Sequence, residues 1–261
     1  MKTAAAETEV LLEWTYSPRD FFESEIEVAR SDYTVNIPSS AISTRLRAFE
    51  FDADDGIRQR LHDALFDLMC GVQLVTRKPF QLSKSRLTRI EPDGRRHIFV
   101  EPEGAVLTLS GFPVDTTVTD ASVKVIADSK QERINGKAEL AELVAKYSPE
   151  DDLLKSMLQS YSTSVSDPNN ELFHLYEVRD ALSTAFGGEA KAREALNISR
   201  DAWSRFGQLC NDEPLRQGRH RGKNFESRRD ASEAELREGR AAALAMINAY
   251  LSFRERGGKV K

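Results

Sequence analysis

Apolar residues in the first half of the chain alternate with polar residues over short stretches, a pattern typical of half-buried β-strands. The segments with this pattern, or with many β-forming residues, are Val10–Tyr16, Ile26–Ala29, Tyr33–Ile37, Val72–Thr76, Leu87–Ile90, His97–Val100, Ala105–Leu109 and Val123–Ile126. Pro92-Asp93-Gly94 predicts a turn, because proline and glycine favour the backbone angles of turns. One helix interrupts the strands: Ile57, Leu61 and Leu65 recur every four residues, and Gly71 predicts its end.

Helical spacing of apolar residues replaces this alternation after about residue 130. Gln131–Gly136 is predicted to be a polar connector. The helices predicted after it are Glu139–Tyr147, the segment from Pro149 to Ser166, Glu171–Phe186, Ala190–Leu196, Arg200–Cys210 and Ser232–Arg254. Ser199 is expected to cap one helix, and Ser232-Glu233-Ala234-Glu235 has the form of a capping box. The sequence therefore predicts an α+β chain. Residues 1–130 are predicted to form a β-rich domain with one helix, a candidate sensing or docking module, and residues 131–261 are predicted to form an all-helical bundle.

Composition narrows the class of protein. Apolar residues make up 40% of the 261 positions and charged residues 30%, which fits a folded globular protein. No window approaches the ~18 consecutive apolar residues that span a membrane, and the N-terminus has no apolar signal segment. Cys70 and Cys210 lie far apart, without partners at metal-ligand spacing, and predict reduced, buried thiols in a cytoplasmic protein. No phosphate-binding loop, dinucleotide fingerprint or zinc pattern occurs, so we expect neither a metal nor a cofactor.

Residues 211–229, between the last two predicted helices, are polar and rich in arginine, and we call them the basic loop. From residue 216 onwards the loop has one acid, Glu226. Its basic residues are Arg216, Arg219, Arg221, Lys223, Arg228 and Arg229. The formal net charge of the whole chain is −5, so any contact with nucleic acid must be local. Cations at this density repel one another, and the loop is favourable only if it is well solvated or meets an anion.

Two interpretations of the basic loop are open. The first is a solvated connection whose arginines cap the preceding helix and pair with surface acids. The second is a phosphate site, because arginine binds phosphate through a bidentate fork and a histidine titrates near neutral pH. On RNA, His220 would act as general acid or base while arginine stabilises charge on phosphorus. Gly218 and Gly222 would permit close backbone approach. His174, or a second His220 from a dimer partner, would supply the other acid–base group.

The predicted helix Glu171–Phe186 has an arginine on its apolar stripe and three ionisable residues on the neighbouring face. Arg179 must be paired or reach the edge of the bundle, because an unpaired buried charge is very costly. His174, Glu177 and Asp180 are three residues apart and are therefore neighbours. Either Arg179 bonds a carboxylate of a neighbouring helix while the other three face water, or this face lies beside the basic loop. In the second case one of its acids orients an arginine or the histidine of the loop.

Residues 169–250 resemble the HEPN-type helical domains of bacterial defence and toxin systems, in particular the variant found in Apea-like proteins. The resemblance lies in Leu175–Leu182, in Asn211–Lys223 and in the long closing helix. In that family an arginine and a histidine separated by four to six residues form a metal-independent ribonuclease site, usually shared across a dimer. The matching pair is Arg216 and His220, which have only three intervening residues and so depart from that spacing. Gln217 stands where the family prefers Asn, His or Asp.

Together, the residues and the resemblance predict an RNA-binding protein with metal-independent endoribonuclease activity in bacterial antiphage defence, acting as a homodimer through the helical domain. The expected site consists of His220 and Arg216 for catalysis, of Arg219, Arg221, Lys223 and Asn211 for substrate binding, and of Glu177, Arg179, Asp180 and His174 for support. The alternative is a non-catalytic interaction module whose basic loop binds a nucleotide, an RNA or an acidic protein partner. The β-rich first half lies outside the resemblance.

Overall fold

The computed structural model describes residues 7–22, 26–29, 34–37, 41–99, 117–119, 125–219 and 228–260. The chain divides into two compact units. The first consists of Met1–Met69 and Phe80–Ala138, and the second of Cys70–Pro79 and Glu139–Lys261. The first contains antiparallel sheets and the second is helical, so the predicted α+β class is confirmed. The sequence placed the border near residue 130, whereas the two units meet at residues 138 and 139.

The described part of the first unit contains ten strands. They are β1 Glu9–Trp14, β2 Tyr16–Ser17, β3 Ile26–Ala29, β4 Thr34–Ile37, β5 Ile42–Arg47, β6 Gln81–Leu82, β7 Arg86–Ile90, β8 Arg96–Phe99, β9 Thr117–Thr119 and β10 Val125–Asp128. Six of them form an antiparallel sheet in the order β3-β4-β5-β1-β7-β8, while β2 pairs with β6 and β9 with β10. The predicted strand Ala105–Leu109 lies outside the described residues.

Alternating burial explains the sheet. In β1, Val10, Leu12 and Trp14 are fully buried while the residues between them are half-buried, as the two-residue period of a strand requires. The predicted turn between β7 and β8 is confirmed. Gly94 has a positive φ of 85°, which glycine adopts without steric cost, and its N–H donates to the carbonyl of Glu91 at 2.8 Å.

Eight α-helices lie in the described residues. They are α1 Ala48–Asp52, α2 Ile57–Thr76, α3 Ser129–Tyr147, α4 Asp152–Ser166, α5 Glu171–Ala185, α6 Glu189–Leu196, α7 Arg200–Gly207 and α8 Glu233–Glu255. A π-helical turn, Gln208–Asp212, follows α7 directly. The predicted caps are present: Ser199 accepts from the N–H of Ala202, and Ser232 and Glu235 form the capping box of α8. Among the described residues, no helix is long and apolar enough to cross a membrane.

Two predicted elements are wrong. The segment Val72–Thr76 is the last part of α2 and not a strand, and Gln131–Gly136 lies inside α3 and is not a connector. Gly71 does not end α2, which continues to Thr76. A glycine is needed there because α3 passes close by: an added Cβ would come within 2.9 Å of the Cα of Ala141. The connector was misread because its polar residues, apart from asparagine and glycine, are good helix formers.

The core of the second unit lies between α4, α5, α7 and α8. Its fully buried side chains include Leu154, Met157, Leu172, Leu175, Trp203, Phe206, Ile247 and Tyr250. An ion-pair cluster within this unit is centred on Glu171, whose side chain is 3% exposed and accepts from Arg77 at 2.8 Å and from Arg240 at 2.6 Å. These contacts fix the start of α5, the helix that carries four of the predicted site residues.

Candidate functional site

The two ends of the basic loop are held together by backbone hydrogen bonds. Leu215 and Arg229 form a parallel β-bridge. The N–H of Arg216 donates to the carbonyl of Arg229 at 3.0 Å, and the N–H of Arg229 donates to the carbonyl of Pro214 at 3.1 Å. The loop therefore leaves and re-enters the helical unit at one place, with residues 220–227, which lie outside the described part, between these two ends.

Gln217 connects these paired ends of the basic loop to α5 and to the residues just before α8. Its backbone carbonyl accepts from the N–H of Phe173 on α5 at 2.9 Å. Its side-chain oxygen accepts from the N–H of Ala231 at 2.9 Å, and its amide nitrogen donates to Asp230 at 3.3 Å. The residue beside Arg216 therefore has a structural role here: it anchors the loop to the N-terminal part of α5 and to the segment just before α8.

A second anchor joins the loop to the first turn of α8. Arg229 donates from both terminal nitrogens to the carboxylate of Glu235, at 2.8 and 2.6 Å. Glu235 also accepts from the N–H and hydroxyl of Ser232. The hydrogen bond from Arg229 is the main cause that lowers the pKa of Glu235 to about 2, with further help from Ser232. The carboxylate is therefore ionised across the physiological pH range.

Arg219 is the predicted substrate-binding residue whose environment is best defined. Its guanidinium donates to Asp180 of α5 at 2.5 Å and lies 4.8 Å from the ring centroid of Tyr176. Its backbone N–H donates to the carbonyl of Cys210 at 2.8 Å. The preceding Gly218 permits this approach, since an added Cβ would lie 3.0 Å from the same carbonyl oxygen. Arg219 remains 39% exposed, so its side chain is fixed in direction but reaches the surface.

Beneath Arg219, a second arginine contacts the same aromatic ring. Arg179 lies 5.2 Å from the centroid of Tyr176 and 5.1 Å from the centroid of Trp203. It donates to the Tyr176 hydroxyl at 2.6 Å and to Glu189 on α6 at 3.2 Å. We call Tyr176, Arg179, Trp203 and Arg219 the arginine–aromatic cluster. Cation–π contacts and the ion pair offset the cost of keeping Arg179 mostly buried.

The arginine–aromatic cluster also explains why residue 207 at the end of α7 is a glycine. An added Cβ at Gly207 would lie 3.1 Å from the guanidinium of Arg179, so glycine makes room for that side chain. Cys210 and Cys70 are both buried, and neither forms a disulfide. Burial is the main cause that raises the pKa of the Cys210 thiol, and the charge of Arg179 opposes this shift only in part. The thiol therefore stays protonated and is not a nucleophile at neutral pH.

The other described candidates have different partners. His174 contacts Asp167 at 3.1 Å and Glu177 at 3.7 Å, and only 16% of its side chain is exposed. Arg216 is 63% exposed and lies 3.8 Å from Asp230.

Asn211 lies in the π-helical turn, where its amide nitrogen donates to Asp212 at 3.4 Å. His220, Arg221 and Lys223 lie outside the described residues. The structure thus brings together Asp180 and Arg219, with Arg179 close by, while Arg216 and His174 each contact other acids.

Both alternatives for the α5 face hold in part. Arg179 does bond a carboxylate of a neighbouring helix, Glu189, and Asp180 does contact an arginine of the basic loop. Tyr176 and Trp203 were missed by the sequence analysis. Tyr176 precedes Arg179 by three residues, a spacing that makes them neighbours on a helix, and this was the available signal. Among the described residues no cluster of His, Cys, Asp and Glu has the arrangement of a metal site.

Comparison of the chain with protein-family models, curated proteins and solved structures finds no match. The resemblance to HEPN-type domains therefore stays a prediction, based on the residues of α5, the basic loop and the long helix α8.

Proposed function

We propose that the helical unit binds single-stranded RNA, with Arg219 and Arg216 contacting its phosphates. The observation that carries this proposal is the position of the Arg219 side chain. Its guanidinium contacts Asp180 and the Tyr176 ring, and 39% of the side chain is still exposed. The Arg219–Asp180 pair is exposed on both sides, and such pairs contribute little to stability, so a phosphate can take the place of the carboxylate on the guanidinium. Holding the side chain in one direction reduces the entropy lost on binding.

The charge of the basic loop supports the same ligand. Six cations and one acid occur between residues 216 and 229. Arg216 and its partner Asp230 are both more than 60% exposed and 3.8 Å apart, and exposed pairs of this kind contribute little to stability. A phosphate can therefore replace such a carboxylate at small cost. The net charge of −5 limits the contact to a short region, which suits a single strand better than a duplex.

Metal-independent cleavage, the activity implied by the resemblance, would be the enzymatic form of this proposal. His220 would be its acid–base residue and Arg216 would stabilise charge on phosphorus. A homodimer and a cytoplasmic role in antiphage defence belong to the same proposal. Cys70 and Cys210 are buried and form no disulfide, which supports a reducing compartment.

A second candidate function is recognition of an acidic protein segment without catalysis. It is favoured by one observation: Arg219 already holds a carboxylate, that of Asp180. Carboxylates of a partner would meet the same geometry. Competition between an acidic peptide and RNA for the basic loop separates the two candidates.

The test is fluorescence anisotropy with a labelled single-stranded RNA of about 20 nucleotides, a length that covers more than one site of ordinary size. Arg219→Gln should weaken binding about five- to tenfold, because a charge-assisted hydrogen bond is lost. Arg205→Gln is the matched control, since Arg205 is also exposed but pairs with Glu238 outside the basic loop. Equal affinity of the wild type and Arg219→Gln would refute the proposal. For cleavage, His220→Ala should abolish RNA cleavage in EDTA and retain binding.

A further inference from the structure

Asp180 accepts a hydrogen bond from one terminal nitrogen of Arg219, a donor that an oxygen of a bound anion can also use. Its Oδ2 accepts from the guanidinium at 2.5 Å, and 45% of the Asp180 side chain is exposed. Carboxylate and phosphate oxygens bind guanidinium N–H groups with the same geometry, so the two anions compete for the same donors. Both partners of this pair reach the surface, so an incoming phosphate can displace the carboxylate without opening the core.

Tyr176 holds Arg219 in a way that does not depend on Asp180. The Tyr176 side chain is 7% exposed, and its hydroxyl accepts from Arg179 at 2.6 Å. Arg179 in turn lies over Trp203, which is fully buried. The ring is thus fixed by the core of the helical unit. When the carboxylate leaves, the guanidinium keeps its contact with the ring face.

We infer that Asp180 is an internal competitor of the RNA phosphate at Arg219, and that Tyr176 is a positioning residue that keeps the guanidinium in place during the exchange. This inference rests on the proposed function. It goes beyond that function by assigning the regulation of the site: the strength of the Asp180–Arg219 pair sets the affinity threshold that an anion must exceed. A polyanion that contacts Arg216 as well as Arg219 exceeds this threshold more readily than a single anion does.

Asp180→Asn tests the competition, because it removes the charge and keeps the size of the side chain. The expected result is binding of the labelled RNA about two- to fivefold tighter than wild type, the range that corresponds to an exposed ion pair. Asp152→Asn is the charge-matched control. Asp152 is fully exposed, and its neighbour Asp151 bonds Tyr250 near the C-terminal end of α8. The basic loop adjoins the opposite end of that helix, about 25 Å away along its axis. The control variant Asp152→Asn should change the affinity for RNA less than about 1.5-fold, since this distance exceeds the electrostatic screening length.

A second control separates the contact from the local charge. Glu177→Gln removes one negative charge a single turn away, and Glu177 is also 45% exposed, but it contacts His174. Tightening by Glu177→Gln that equals the effect of Asp180→Asn would overturn the inference, because a general charge effect would then explain both. Unchanged or weaker binding by Asp180→Asn would overturn it as well, while leaving RNA binding by the wild type in place.

Tyr176 is tested with two variants. Tyr176→Leu should weaken RNA binding about two- to fivefold, the range of a cation–π contact. Tyr176→Phe should bind RNA as the wild type does, because the face of the ring remains. Loss of affinity in both variants would contradict the positioning role. The salt dependence is a further readout: it should become shallower in Tyr176→Leu, since one phosphate contact is weakened, and remain unchanged in Tyr176→Phe. Asp180→Asn keeps the competition testable if Tyr176→Leu does not fold.

The outcomes also separate this inference from the function it rests on. If neither the wild type nor Asp180→Asn binds RNA, both proposals fail. If only Asp180→Asn binds RNA, the competition is supported, and the Asp180 carboxylate prevents binding of the phosphate to Arg219 in the wild type. If the wild type binds and Asp180→Asn binds no better, RNA binding stands and the competitor role is refuted.

Discussion

The hydroxyl group of Tyr250 donates a hydrogen bond to the carboxylate of Asp151 at 2.9 Å, although the two residues are 99 positions apart. The same carboxylate caps α4 by accepting from the N–H of Leu154 at 2.9 Å, and it pairs with Arg254. Its side chain is 3% exposed. One acid therefore joins the start of α4 to the last turns of α8, the helix whose first turn anchors the basic loop.

Removing Asp151 should destabilise the helical unit strongly. Asp151→Ala leaves Arg254 without its partner and the first turn of α4 without its cap, so we expect the free energy of unfolding to fall by about 3–5 kcal/mol. Tyr250→Phe removes one hydrogen bond and should cost about 1 kcal/mol. Urea denaturation of both variants checks the order. Equal losses would show that the hydroxyl, and not the ion pair, dominates.

The contribution of Tyr250 should depend on pH at the alkaline end. Burial raises the pKa of Tyr250 to about 12, above its ordinary value of 10.0. The folded protein therefore binds the phenolic proton more tightly than the unfolded chain, and the stabilisation is complete below pH 10 and is lost as the pH rises towards 12. The difference in unfolding free energy between wild type and Tyr250→Phe should shrink over this window. A constant difference would contradict the assignment.

Glu171 is the second buried acid on which the helical unit depends. It bonds Arg77 and Arg240, and its removal leaves two guanidinium groups mostly buried without their carboxylate. Glu171→Ala should lower the free energy of unfolding by about 3–5 kcal/mol. Glu238→Ala is the control: Glu238 pairs with Arg205 at the surface, and such pairs contribute about 0–1 kcal/mol. Similar losses in the two variants would mean that burial of Glu171 does not matter.

Gly71→Ala should destabilise the protein, which is the reverse of the usual effect in a helix. Alanine is favoured over glycine by about 1 kcal/mol in a helix interior. Here the added Cβ would lie 2.9 Å from the Cα of Ala141 and 3.1 Å from the carbonyl oxygen of Leu140, and backbone atoms cannot move aside easily. We expect a loss of about 1–3 kcal/mol.

Gly239→Ala provides the matched control for Gly71→Ala. The nearest atom to its Cβ is a methyl group of Leu172, the mobile end of a side chain, at 2.7 Å. The cost should therefore be smaller than at Gly71. Thermal unfolding of both variants measures the difference, and a stabilised Gly71→Ala protein would show that α2 and α3 can separate at no cost.

The elements that could be predicted from the sequence are those whose signals are local. The cap at Ser199 and the capping box at Ser232 depend on residues within four positions, and both are present. Gly71 was misread because a glycine that ends a helix and a glycine that admits another helix look the same in sequence. The second role depends on Ala141, which is 70 positions away and cannot be seen from periodicity.

The candidate site shows the same limit. The sequence placed Asp180 and Arg179 on neighbouring faces of one helix, but it left open which acid meets which arginine. The answer depends on how the base of the basic loop is fastened, by Gln217 and by the bridge between Leu215 and Arg229. These contacts join separate elements, so no local pattern indicates them.

The anchor between Arg229 and Glu235 should make stability fall in acid. The pKa of Glu235 is lowered to about 2 by the hydrogen bond from Arg229, below its ordinary value of 4.5. The stabilisation is therefore present above about pH 4.5 and is lost as the pH falls towards 2. Glu235→Gln should be less stable than wild type at pH 6, and the two unfolding free energies should converge between pH 4.5 and 2. Parallel curves would refute the role of this carboxylate.

The salt dependence of RNA binding should count the phosphates that the basic loop contacts. Each phosphate neutralised on a single strand contributes about 0.7 to the slope of log affinity against log salt concentration. Arg219→Gln should therefore reduce the slope by about 0.7, and Arg216→Gln should do the same, because its exposed guanidinium is the second proposed phosphate contact. Arg205→Gln, outside the loop, should leave the slope unchanged. A variant that weakens binding without changing the slope acts through the structure of the loop, and Arg219 would then have to be withdrawn as a phosphate contact.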